Sequence, residues 1–351
     1  MRPMRGSAKK AEILTLEAAV KKYMHDGIVC AFSGFTAFNR NPVAFAWEAV
    51  RQGIRNLHVL DKHAGLCTWF LNTVGAIRIY ETDWVGWGEM AGKLDLSVEK
   101  LYTSGKLILE EYSHGAMTMR FLAGAVGAPF IPYYAPLGSD LYNPAYDALG
   151  RAGLRNGSHP RIPSRKFIEM TDPFAGEGKV VLLPAANPEL CILHVEKVGE
   201  KGTARWRGIS TLDKEMAFAS DRVVVIAEEI VPEARLREHP ESNPIPYFVV
   251  DAIVEAPWGA FPSAVPYRYD YDAPFMRAMD RASRNEADLK DWMEEWVFGP
   301  RDWRALIDKL GEERLKGLRA DPKTGYSTAV MRGKRPAPRM QAPLSVRRSG
   351  Y

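Results

Sequence analysis

Two adjacent carboxylates, Glu110 and Glu111, end an apolar run and are followed at once by Tyr112, Ser113 and His114, in the stretch LILEEYSHGAMTMRFLAGAVGAPF from Leu107 to Phe130. Carboxylate, hydroxyl and imidazole so close together are the groups of acid–base and nucleophilic catalysis. Neighbouring residues on a strand point to opposite faces, so at most one of the two glutamates faces a cleft. The other is a surface or capping group, and the two do not form a paired acid and base.

A second candidate is FSGFTAFNRNP, from Phe32 to Pro42. Ser33, Gly34 and Phe35 leave a strand, and Pro42 enters a helix. A residue without a side chain lets backbone N–H groups approach a ligand, and the helix N-terminus favours an anion. Arg40 adds a charge-assisted donor for a carboxylate or phosphate. Glycine is also common at such turns for purely structural reasons, so the loop alone leaves both readings open.

Other chemistries lack their motifs. There is no GxGxxG, no Walker loop, no GxSxG elbow and no HExxH. The histidines do not pair at metal-ligand spacing, and Asp61 and His63, in DKH, read as a polar loop at a strand end. No metal and no permanently bound cofactor are expected.

The elements that must position these groups alternate. TLEAAVKKYMHDG is a helix started at Thr15 and stopped at Gly27. IVCAFSGF is a strand, and NPVAFAWEAVRQG a helix with Asn41 at the cap, Pro42 at the first position and Gly53 past the end. LHVLD, IRIYETDW and KLILEEY are further strands. Ser113 then caps a helix that Gly127 stops before Pro129, with Gly115, Ala116, Ala123, Gly124 and Ala125 permitting close packing. The pattern is βαβα, an α/β fold with an open, mainly parallel sheet and flanking helices. It puts Glu110 and Glu111 at the carboxyl edge, where open α/β sheets take ligands.

Asn156–Phe167 is rich in proline and glycine and reads as a loop. KVVLLP, LCILHV, RVVVIAEEIV and YFVVDAIVEAP continue the strands, with STLDKEMAFAS a helix between the second and third. From Ala273 to about Ala320 the pattern is helical, with Trp292, Trp296 and Trp303 as apolar anchors. The expected division is a flexible basic N-terminus over 1–10, an α/β domain over 11–326 whose 273–320 part is mostly helical, and an extended or disordered basic tail over 327–351.

The 351 residues are 46% hydrophobic and 26% charged, enough to bury a large core and to exclude a disordered chain. The formal charge of +4 arises at the ends: Arg2, Arg5, Lys9 and Lys10 sit among the first ten residues and six basic residues lie beyond Val330, with no acid in either segment. Removing those ten from the 47 basic residues leaves a body with fewer cations than its 43 acids, so no nucleic-acid footprint is expected. Cys30, Cys67 and Cys191 are far apart and odd in number, as in a chain with reduced thiols. No apolar run approaches a membrane span. A cytoplasmic protein is expected.

Four segments, taken together and in order, resemble the family I CoA-transferases, in particular their glutaconate-type A subunits. They are SGFTAFNRNPVAF; EEYSHGAMTMRFLAGAVGAPFIPYYAPLGSDL (Glu110–Leu141); LCILHVEKVGEKGTARWRG followed by ASDRVVVIAEEIV; and VVDAIVEAPWGAFPSAVPYRYDYD (Val249–Asp272). The resemblance implies the open α/β fold and an obligatory B subunit of similar fold, in an α2β2 or αβ complex. It also implies covalent catalysis: a B-subunit glutamate attacks an acyl-CoA thioester to give an anhydride, then a glutamyl-CoA thioester, and CoA passes to a second carboxylic acid. No Glu-Asn pair of the kind that surrounds that glutamate occurs here, so the nucleophile belongs to the partner, and a coenzyme A thioester is the substrate.

By the same resemblance, Ser33, Gly34 and Phe35 supply backbone contacts to an oxyanion or carboxylate. Ser113 and His114, with Tyr134, Gly138, Ser139 and Asp140, line the acyl pocket, and Arg40 binds substrate. Tyr133-Tyr134 and Phe261 stand where relatives carry an arginine and a histidine, which implies a less polar, more aromatic pocket. An alternative is a hydrolase or ring-opening lyase acting on a cyclic acyl-CoA, with Glu111, its pKa raised by burial, as base or nucleophile.

Overall fold

The computed structural model describes residues 10–63, 65–86 and 95–330. The tail expected beyond Val330 and the N-terminal segment before Lys10 lie outside the described residues. The first half runs β1 (Glu12–Ile13), α1 (Leu16–Tyr23), β2 (Val29–Phe32), α2 (Val43–Arg51), β3 (Leu57–Leu60), α3 (Leu66–Thr73), β4 (Ile77–Thr82), α4 (Leu96–Thr103), β5 (Ile108–Glu111) and α5 (His114–Val126). Then come β6 (Phe130–Tyr133), α6 (Ala148–Arg151), β7 (Ile168–Thr171), β8 (Lys179–Pro184), β9 (Leu190–Val195), β10 (Lys197–Gly199) and β11 (Ala204–Arg205). The last part holds α7 (Asp213–Ala219), β12 (Arg222–Ala227), β13 (Ile230–Val231), α8 (Glu233–Arg237), β14 (Ala252–Glu255) and four helices, α9 (Ala273–Ala282), α10 (Glu286–Met293), α11 (Trp303–Leu310) and α12 (Glu312–Leu318).

Eight strands form one sheet in the order β1, β14, β12, β9, β2, β3, β4, β5. Every neighbouring pair in it is parallel. Its central strands are buried along their whole length because both faces are covered. KVVLLP departs from the expected pattern: it is β8, the middle of a separate antiparallel sheet between β6 and β7. Its burial is interrupted and its first residue exposed, as suits a ribbon packed on one side.

Two cores lie on the two faces of the large sheet. The larger joins α1 to α4 with the four C-terminal helices, and the smaller joins α5 and α7 with β8. The C-terminal helices clasp the first half through aromatic edges. Trp292 meets Trp69 at 5.2 Å, Trp303 meets Trp47 at 5.5 Å, and Trp47 Nε1 donates to the carbonyl of Trp296 at 2.9 Å. Arg51 donates to the carbonyls of Val297, Pro300 and Arg301.

Local signals set the helix ends. Thr15 accepts from Ala18 N–H at the start of α1, and Ser113 from Ala116 N–H at the start of α5, which Gly127 ends in a left-handed turn. The α1 helix stops at Tyr23, before the expected Gly27, whose φ of +80° instead turns the chain toward β2. Asn41 does not cap α2, since Pro42 takes that place. Its amide reaches elsewhere, accepting from Leu66 N–H at 3.0 Å at the start of α3 and donating to Thr36 O and Ser263 Oγ.

Helix α5 packs closely on α7 because Gly124 has no side chain: a Cβ there would drive into the carbonyl of Ala186 and touch Ala219. Alanine is the better helix former by about 1 kcal/mol, but overpacking costs about 1–3 kcal/mol. Gly124→Ala is therefore expected to lower stability, read as a fall in the urea midpoint, against the direction that helix propensity alone dictates.

Candidate active site at the carboxyl edge of the sheet

Strands β2 and β9 lie side by side, and the order of strands runs outward from them in opposite directions. Such a switch point leaves a crevice at the carboxyl ends, the usual ligand site of an open sheet. In this chain a buried ion pair fills it. Arg40 is fully enclosed, with Nη2 at 2.7 Å from Asp213 Oδ2. Nη2 also donates to Ile209 O at 2.6 Å, Nη1 to His194 O at 3.1 Å, and the guanidinium lies 4.7 Å above Trp206. Asp213 Oδ1 accepts the Gly34 N–H at 3.0 Å.

These contacts correct the reading of the glycine loop. Arg40 is a strut between the halves of the sheet, with its donors turned inward rather than toward a ligand. The Ser33 N–H donates to Ile192 O, the Gly34 N–H to Asp213 and the Phe35 N–H to Asn39 O, so the three backbone donors are engaged inside the chain. Ser33 Oγ accepts from His194 N–H at 2.9 Å. Gly34 is needed at its φ of +114°, where a Cβ would press on Asn39 O and Asn41. What the loop presents at the edge is the Phe35 ring.

That ring stacks on His63 with centroids 4.7 Å apart and planes 6° apart. His63 follows β3 in a left-handed conformation, φ +70°, and Trp84 flanks it at 6.2 Å. Its Nδ1 lies 3.2 Å from His114 Nδ1, at the start of α5. Asp83, just past β4, joins the pair. Its Oδ2 is 2.6 Å from His114 Nδ1, and its Oδ1 accepts the His63 N–H at 2.7 Å. Burial, with Lys62 and His63 nearby, pulls the His114 pKa below its usual value, although Asp83 opposes the shift. Asp61, buried at the end of β3, is pushed up to about 7 by burial and by Asp83.

The structure separates the two glutamates as strand alternation requires, and the buried one is Glu110. Its Oε1 lies 2.6 Å from Lys166 Nζ, and its Oε2 accepts from Leu149 N–H at 2.9 Å with Arg155 3.4 Å away. Burial raises its pKa in spite of these partners. Glu111 is exposed, so the burial expected for it is not met within this chain. The face of Glu110 continues into a network in which Glu81 accepts from Arg120 at 2.7 Å and contacts His58 at 2.7 Å. Burial favours protonation of Glu81, yet Arg120 and His58 hold its pKa well below the usual range.

The expected pocket segments are only partly brought together. Ser113 Oγ lies 3.1 Å from the hydroxyl of Tyr142, which ties the start of α5 to the turn through Gly138, Ser139 and Asp140. Gly138 has φ +91°, and Asp140 is exposed. Tyr134 is 72% exposed and donates to Asp172. Tyr133 is the neighbour that packs on α5, its hydroxyl occupying the space a Cβ on Gly115 would need. Phe261 is core, 4.9 Å from Phe275, so it does not make a pocket aromatic.

His63 and Asp83 are absent from the sequence-based site. One signal marks them. Leu60 pairs with Glu81 and Glu81 with Glu110, so polar residues two or three positions beyond these points share one edge.

If Arg40 is a strut, Arg40→Met leaves Asp213 as an unpaired buried charge and costs about 3–5 kcal/mol of stability. Adding Asp213→Asn, which keeps an acceptor for Gly34, is expected to restore part of that loss in urea unfolding. An arginine serving only a ligand would leave the unfolding midpoint unchanged.

The family pattern described as Coenzyme A transferase matches residues 13–256. The A subunit of glutaconate CoA-transferase from Acidaminococcus fermentans is 34% identical, covering 90% of this chain and 97% of that protein. The crystal structure of glutaconate coenzyme A-transferase from Acidaminococcus fermentans superposes with a TM-score of 0.84, at 33% identity over 90% of this chain and 98% of that one. The A subunit of 3-oxoadipate CoA-transferase from Pseudomonas knackmussii is 30% identical over 86% of this chain and 99% of that protein. Among the described residues no helix is long and apolar enough to cross a membrane. With an open parallel sheet of this topology and a match over most of its length, the chain belongs to the coenzyme A transferase family.

Proposed function

We propose that this chain is the A subunit of a two-subunit enzyme that moves coenzyme A from an acyl-CoA to a carboxylic acid, and that a B subunit supplies the covalent glutamate. The observation that carries this reading is the state of the two carboxylates on β5. Glu110 is enclosed and held by Lys166 and Leu149, while Glu111 is open to solvent. Within this chain Glu110 is engaged by its partners and Glu111 is not enclosed, so neither has the dry, activated setting a carboxylate nucleophile needs. Glu111, Ser113 and His114 form one wall of an edge site that a second chain completes, in an αβ or α2β2 assembly. The partner's glutamate attacks the thioester carbonyl and releases the CoA thiolate. The thiolate returns to the glutamyl carbonyl of that anhydride, giving the glutamyl thioester and expelling the first acid as its carboxylate; the second carboxylate attacks this thioester, and the thiolate it displaces attacks the acyl carbonyl of the new anhydride, forming the new acyl-CoA and restoring the glutamate.

The test is a purified complex with its B subunit, assayed for transfer from a panel of acyl-CoA donors with mass-spectrometric detection. Glu111→Gln is expected to lower transfer far less than loss of the partner's glutamate does, as for a group that positions rather than attacks. Replacing the partner's glutamate by glutamine is expected to abolish it, by at least about a thousandfold. Loss confined to Glu111→Gln, with hydrolysis or ring opening of a cyclic acyl-CoA instead of transfer, would establish the lyase or hydrolase alternative.

A further inference from the structure

We infer that His63, Asp83 and His114 form a binding site for a divalent transition-metal ion of the zinc class. Three ligand atoms from three separate strand ends, the two imidazole Nδ1 atoms and a carboxylate oxygen, all lie within 4.8 Å of one another. In a tetrahedral site with metal–nitrogen bonds of about 2.0–2.1 Å, ligand atoms stand about 3.3 Å apart. The His63 to His114 separation of 3.2 Å matches that edge. Asp83 Oδ2 lies 2.6 Å from His114 Nδ1, shorter than that edge, and Asp83 Oδ1 lies 3.9 Å from His63 Nδ1, longer than it.

The site is built rather than accidental. The Asp83 side chain is fully enclosed, its Oδ1 takes the His63 N–H, and its buried Oδ2 faces the His114 Nδ1 at 2.6 Å. An acceptor of that kind costs free energy unless a cation or donor meets it. His63 is held in a left-handed conformation with its ring between Phe35 and Trp84, so its nitrogen is aimed before any ion arrives. Two imidazole nitrogens face each other there, and an ion satisfies both lone pairs at once. Two histidines and a carboxylate suit zinc, cobalt or nickel over magnesium or calcium. The half-exposed side of His114 leaves the fourth position open to a water molecule.

The experiment uses the tag-free full-length chain, stripped with chelator and titrated with Co2+ and then Zn2+. One equivalent of Co2+ per chain is expected, with the ligand-field absorption of a nitrogen–oxygen site that Zn2+ then bleaches. Both His114→Asn and His63→Asn are expected to lose that equivalent, with circular dichroism reporting the fold; asparagine tolerates the left-handed backbone at 63. Should His63→Asn not fold, His114→Asn, at an exposed helix start, decides alone. Failure to take up one equivalent, uptake that survives His114→Asn, or sulfur charge-transfer bands showing that a cysteine is the ligand would each overturn the site. The readout is independent of CoA transfer, so it stands or falls apart from the proposed activity.

Discussion

The ion pair between Arg40 and Asp213 joins residues from opposite sides of the central strand pair, and the carboxyl edge is organised around it. Taking two charges out of water costs several kcal/mol each, which only good geometry and further hydrogen bonds offset. The protein provides both: two carbonyls and an indole face for the guanidinium, and the Gly34 N–H for the second carboxylate oxygen. The crevice that an open sheet usually offers to a ligand is thereby closed at its centre. The titratable groups that face one another lie sideways along the edge, at the ends of β3, β4 and β5.

That shift follows a chain of contacts. Asp213 fixes Gly34, the Gly34 turn fixes Phe35, and Phe35 stacks on His63. Asn41, in the same loop, holds the first turn of α3 just beyond His63. The edge therefore inherits its geometry from a buried electrostatic contact that touches none of its chemical groups. Rigid supports of this kind let the stacked His63 and the half-exposed His114 hold a fixed separation.

The fold was largely legible in the sequence because its signals are local. Alternating apolar strands, Thr15 and Ser113 as caps, and Gly53 and Gly127 as stops are each decided within a few residues. The site was less legible because its decisive pairs are distant. Arg40 shows its charge in the sequence but not Asp213, 173 positions away, and His63 lies 51 positions from His114. Strand alternation says that one of Glu110 and Glu111 is buried, yet which one depends on Lys166 in a loop that periodicity cannot place. The errors of topology, β8 in its own antiparallel ribbon and the end of RVVVIAEEIV, which is β13 in a small sheet with β10 and β11, have the same origin, since an apolar run does not announce which sheet it joins.

The aromatic clasp has a consequence for how the chain reaches this state. The family match ends at residue 256, yet Trp47 and Trp69, in the first seventy residues, are covered by Trp303 and Trp292 from the far end. During synthesis the early strands and helices leave the ribosome with that apolar flank bare, and it stays bare until the last helices emerge. An early unit in this condition is open to non-native association. For this protein, the vulnerable interval of biogenesis is set by the four C-terminal helices, which act as a built-in cover for the flank formed first.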